Sequence, residues 1–168
     1  MENNVREESG LKFQFPENET VIKFDDTKFY RDYFNKLPNA KGVDFISVDK
    51  YKIAFIEVKN CTGDEGNCRW RIAPNNQKRN TTHTSVNVEG RDSLDIEMAQ
   101  KTAMTIAALI GAKSFGDTKE CLCELREYIQ FLSKDAFSDN SKKKYVILFL
   151  EGDFGGKTRT KKMIMQAL

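Results

Sequence analysis

Residues 42–60 read GVDFISVDKYKIAFIEVKN, two β-branched and aromatic runs separated by a short polar break at Asp49 and Lys50. Such a pair of runs predicts a β-hairpin. Side chains alternate faces along a strand, so Phe55, Glu57 and Lys59 share one face while Ala54, Ile56 and Val58 share the other. With Asp49 and Lys50 as a two-residue loop, Val48 faces Tyr51, Ile46 faces Ile53 and Asp44 faces Phe55. Asp44 then lies diagonal to Glu57 on the same face, where diagonal partners sit roughly 7–8 Å apart. Two carboxylates and an ammonium converge on one patch of an otherwise apolar hairpin.

That combination has a chemical use. Two carboxylates at such spacing offer hard oxygen ligands to Mg²⁺ or Mn²⁺; Mg²⁺ commonly takes one or two protein carboxylates together with substrate phosphates and water. A lysine beside the metal can orient a water and stabilise charge developing at phosphorus, while the metal lowers the pKa of that water. The patch therefore points to metal-assisted phosphodiester hydrolysis. The competing reading is a charged sheet face on which Glu57 and Lys59 form a weak surface pair.

At these residues the chain resembles the restriction-endonuclease-like, or PD-(D/E)xK, nuclease superfamily. "VDF" stands where that family has its proline–aspartate, with Val43 replacing the proline. "IEVKN" matches its ExK strand, and 12 residues separate Asp44 from Glu57. The resemblance covers mainly residues 26–112. It implies an α/β fold with an αβββαβ core, a central mixed sheet flanked by helices, with Asp44 and Glu57 as metal ligands and Lys59 as the catalytic lysine. It also implies an acid on the first helix, a place that Asp25, Asp26 and Asp32 could each fill.

The other elements follow from periodicity. Residues 27–37, TKFYRDYFNKL, place Phe29, Tyr30, Tyr33, Phe34 and Leu37 on one helical face, with Asp26 as the expected cap and Pro38 as the stop. Residues 93–110 predict a second helix, capped by Asp92 or Ser93, stopped by Gly111 and buried all round in its later turns. Its polar positions after Glu97 include Gln100 and Lys101. The resemblance makes these two candidate site residues, because many nucleases of that superfamily carry a polar or basic residue on this helix. Met104 stands where one branch, with a QxxxY pattern, has tyrosine. A third helix is expected over 119–137 and a buried strand over 143–152.

Between the hairpin and the long helix, "CRWRIAP" and "TSVNVEG" read as strands and "NNQKRNTT" as an exposed turn. Arg69, Arg71, Lys78 and Arg79 face only Glu89 in charge over residues 66–90, and Trp70 interleaves an aromatic. Residues 141–168 carry seven basic residues against Glu151 and Asp153. Local positive charge of this kind suits phosphate contacts, although the net charge of the whole chain is only +2.

Several alternatives are excluded on spacing. "EGDFGGKT" approaches a phosphate-binding loop but has Glu151 where the first glycine is required. Cys61 and Cys68, and Cys121 and Cys123, lack the C-x₂₋₄-C spacing of a zinc module. His83 alone cannot build a histidine-metal site. At 168 residues the chain suits a single domain, its core motif within 26–112 and residues 113–168 adding a helix, a strand and a basic C-terminal segment. No apolar run approaches the roughly 18 residues of a membrane span, and the polar first dozen residues do not read as a signal peptide. A cytoplasmic, metal-dependent nuclease acting on DNA, with a homodimer as a further expectation, is the reading to test. Its rivals are a ribonuclease and a non-catalytic nucleic-acid-binding or protein-interaction module.

Overall fold

The computed structural model describes residues 4–64, 93–134 and 141–153. The predicted strands between residues 65 and 92, with Arg69, Trp70, Arg71, Lys78, Arg79 and His83, lie outside those residues, as does the basic segment beyond Asp153.

The described residues form a mixed α/β structure. Strands β1 (Val5–Glu8) and β2 (Leu11–Gln14) make a hairpin, and β3 (Thr20–Lys23), β4 (Phe45–Val48), β5 (Lys52–Asn60) and β6 (Lys143–Glu151) make a sheet in that order. The β3–β4 and β4–β5 pairs are antiparallel, whereas β5–β6 is parallel. Helices α1 (Lys28–Asp32), α2 (Leu94–Ala112) and α3 (Arg126–Lys134) supply one covering layer. Ile46, Val48, Ile53 and Phe55 meet Phe29 of α1, Met98 and Leu109 of α2, and Tyr128 and Ile129 of α3 in the main core. Strand β3 comes before the first helix, so the described chain order does not begin with a helix as the expected αβββαβ order would.

The other face of the sheet is covered by strands where helices were expected. Leu11, Phe13 and Phe15 pack on Phe45, Ala54, Ile56 and Val58. This hairpin escapes a reading that sees only polar and acidic residues at the N-terminus. Ser9 and Gly10 both have positive φ, 52° and 76°, which is the two-residue turn whose twist suits a hairpin. Asn60 Nδ2 then donates to the Ser9 carbonyl at 2.9 Å and ties the hairpin tip to the end of β5.

Four sequence expectations need correction here. The first helix is not continuous over 27–37: a 3₁₀ turn, α1 and a second 3₁₀ turn follow one another, and the cap is Thr27, whose hydroxyl accepts the Tyr30 N–H at 3.0 Å, not Asp26. Phe24, Tyr30 and Phe34 stack edge to face or tilted, so ring contacts rather than helical periodicity organise this segment. Gly111 does not stop α2, which runs to Ala112 and on into a 3₁₀ turn, and Ile110 on it is exposed. The third helix is α only from Arg126, residues 120–125 being 3₁₀. Strand β6 is present and, among the described residues, lies at the edge of the sheet with Tyr145, Val146, Ile147 and Phe149 exposed, not buried.

Candidate active site

The β4–β5 register differs from the expected one by two residues. Val48 pairs with Ile53 and Phe45 with Ile56, because Asp49 closes a longer loop by accepting the Tyr51 and Lys52 N–H groups through Oδ1. An even slip leaves every side chain on its face. Continued one step, the register sets Asp44 against Glu57 instead of diagonal to it. The ladder is irregular at that step: the Asp44 amide donates to the Ile56 carbonyl at 3.1 Å, and Asp44 Oδ2 accepts the Val58 N–H at 2.7 Å. The acid side chain thus serves as an acceptor for the partner strand.

Glu57 lies at the centre of the sheet with its side chain 1% exposed. Its Oε1 receives Lys59 Nζ at 2.8 Å and Lys101 Nζ at 2.5 Å. Lys59 also reaches Glu97 at 3.0 Å, and Lys101 lies 3.7 Å from Asp44 Oδ1. Lys101 is delivered by α2, on which Glu97, Lys101 and Thr105 recur at a spacing of four and share one helix face. Thr105 Oγ1 accepts the Val43 N–H at 3.1 Å and so fixes the backbone just before Asp44 against the helix. Gln100 is turned away: it is exposed and accepts from Lys41 Nζ at 2.8 Å. Of the two helix residues singled out from sequence, the structure brings Lys101 to the carboxylates and leaves Gln100 at the surface.

Glu97 and Thr105 were not singled out from sequence, although their spacing from Lys101 was the available signal. Gly42 carried a signal only in three dimensions. A Cβ there would fall 2.8 Å from the buried Phe24 ring and 2.9 Å from Tyr30. Among the acids weighed for the first helix, Asp26 is exposed beside Lys23, and Asp32 is exposed. Asp25 is half-buried, and burial pushes its carboxyl up; its charge and that of Asp44 add to the burial that pushes up the Tyr30 phenol.

Electrostatics set Asp44 and Glu57 against each other. Burial, then the Glu57 charge, push the Asp44 carboxyl up to about 6 from 3.8, against the pull of Lys101 and the Val58 N–H. Glu57 Oε2 is buried and has no hydrogen-bond partner among the described residues. A buried carboxylate oxygen left in this state is costly, and such orphans call for a missing partner. Asp44, Glu57 and Glu97 gather around the ammonium groups of Lys59 and Lys101. The orphan oxygen of Glu57 fits a cation. Among the described residues no three His, Cys, Asp or Glu side chains group as a metal cluster. Asp44 and Glu57 form a carboxylate pair, of the kind Mg²⁺ uses when water and phosphate complete its shell.

A family model described as "Family of unknown function (DUF6661)" matches residues 27–168. The chain belongs to DUF6661. The match spans every side chain of the charged cluster, whereas the β1–β2 hairpin and β3 of this DUF6661 chain precede it. No curated protein and no solved structure matches the DUF6661 chain. Among the described residues no helix is long and apolar enough to cross a membrane.

Proposed function

We propose that this chain is a metal-dependent nuclease that hydrolyses phosphodiester bonds of DNA, with a site and core related to those of the PD-(D/E)xK superfamily. The observation that carries the reading is Glu57, a carboxylate on a central strand with one oxygen held by two lysines and the other, beside Asp44, without a hydrogen-bond partner among the described residues. Asp44 and Glu57 would hold Mg²⁺ or Mn²⁺. Such an ion, when bound, supplies Lewis acidity toward the phosphate and a more acidic water.

The remaining work falls to the chain itself. Lys59, with its side chain 23% exposed against 16% for Lys101, is the more exposed of the two lysines. It places positive charge where negative charge develops on the phosphate oxygens, and it orients a water by donating to it. Lys101 holds Glu57 Oε1, so that Oε2 alone is left to ligate. Glu97 fixes Lys59 from the helix side, which limits the rotamers of a long side chain.

The test is cleavage of labelled single- and double-stranded DNA and RNA in Mg²⁺, Mn²⁺ or EDTA, with wild type beside Lys59→Ala. The expected result is cleavage that needs the metal and is lost in the variant. Cleavage of RNA alone would move the substrate assignment to a ribonuclease. No cleavage of any substrate, or equal cleavage by the variant, would remove the nuclease reading.

A further inference from the structure

Glu57 presents two unlike oxygens. A carboxylate oxygen offers about two lone-pair directions. On Oε1 both are taken, one by Lys59 Nζ at 2.8 Å and one by Lys101 Nζ at 2.5 Å. Oε2 is buried and has no hydrogen-bond partner among the described residues. The two lysines reach Oε1 from different places. Lys59 stands on the same strand and is shared with Glu97 at 3.0 Å. Lys101 comes from α2 and lies between the two carboxylates, 2.5 Å from Glu57 Oε1 and 3.7 Å from Asp44 Oδ1.

That position bears on how many ions the carboxylate pair can take. In two-metal phosphodiester chemistry the ions stand about 3.5–4 Å apart and clamp the attacking and the leaving oxygen. A carboxylate that bridges two Mg²⁺ ions through its two oxygens must admit each ion to about 2.0–2.1 Å. Two ammonium groups on Oε1 close that oxygen to an ion. Lys101 is also held in place. Its side chain is 16% exposed, Met98 and Leu109 of the same helix are fully buried, and Thr105 Oγ1 accepts the Val43 N–H at 3.1 Å. Withdrawing an ammonium group from a buried carboxylate leaves charge uncompensated, which is strongly unfavourable.

We propose that Lys101 stands in for a second metal ion, so that the site takes a single divalent cation, held by Asp44 and Glu57 Oε2. The inference rests on the metal-dependent reading above and adds the number of ions and the group that replaces one of them. An ammonium group carries one positive charge where an ion carries two, but it also carries three N–H donors. With one given to Glu57 Oε1, donors remain for a phosphate oxygen. Being covalently part of α2, this charge is present at any metal concentration.

The test is Mn²⁺ binding to the full chain without substrate, counted from the free-ion signal in electron paramagnetic resonance. Wild type is expected to bind one ion, and Asp44→Asn to lose it. Lys101→Ala empties the position and frees a lone pair of Oε1, so it is expected to bind two ions. If melting shows that the alanine variant is unfolded, Lys101→Gln, which removes the charge but keeps an N–H donor, is read in its place with the same expectation. Two ions or none in wild type, an ion that survives Asp44→Asn, or a folded Lys101 variant that still binds only one would each overturn the inference. Cleavage is scored separately. One ion bound without cleavage of any nucleic acid would remove the nuclease and keep the ion count, whereas cleavage with two ions bound would do the reverse.

Discussion

Replacing Asp44 by asparagine should make the protein more stable at alkaline pH while abolishing whatever the site does. The Asp44 carboxyl is raised from 3.8 to about 6 in the folded chain, chiefly by burial and by the charge of Glu57. A raised carboxyl favours folding while it is protonated. Its contribution is fully present below about pH 3.8 and is lost as pH rises through about 6. At about 1.4 kcal/mol per pH unit, the charged form disfavours the fold by roughly 3 kcal/mol at pH 8, with little discount for solvent because the side chain is 16% exposed. Asparagine removes that repulsion and keeps an oxygen for the Val58 N–H, but it deprives Lys101 of a neighbouring charge. A net gain of about 1–2 kcal/mol is expected, which is roughly 2–8 °C in Tm for a chain of this size. Thermal melts of both proteins at pH 4 and pH 8 in EDTA would measure it. The reasoning is refuted if the variant melts lower than wild type at pH 8, or if the difference between the two is the same at both pH values.

Two further substitutions probe how the site is held. Thr105→Val leaves the buried Val43 N–H without its acceptor and should cost about 1–3 kcal/mol in urea denaturation, with Thr105→Ser recovering most of it. Gly42→Ala forces a methyl against the buried Phe24 ring and should cost about 1–3 kcal/mol by the same measurement. An unchanged urea midpoint in either variant would contradict the contact it tests.

The face shared by Phe55, Glu57 and Lys59 was legible in sequence because a strand has a strict period of two, and the structure keeps that face although the loop is two residues longer than expected. Lys101 was legible as a polar residue on an apolar helix. Its separation from Gln100 was not, because neighbouring helical positions diverge by about 100° and only the docked helix decides which one looks inward. The N-terminal hairpin was missed because its two-residue Ser-Gly turn carries the information and its strands are mostly polar; only Leu11, Phe13 and Phe15 betray the buried side. The strand over β6 was read correctly as a strand and wrongly as buried. An apolar run reports what a segment could cover, and whether something lies beyond it is a property of the whole sheet.

Strand β5 carries two different kinds of requirement on its two faces. Ala54, Ile56 and Val58 need only shape and hydrophobicity against Leu11, Phe13 and Phe15, so a change at one can be absorbed by a change at another. Glu57 and Lys59 need particular atoms at particular distances from Lys101 and Glu97, and no substitution in the hairpin can supply them. Ala54, Ile56 and Val58 can therefore change in compensated pairs, while Glu57 and Lys59 cannot change without breaking the ion pairs they make. Residues 56–59 are thus negotiable and fixed in alternation.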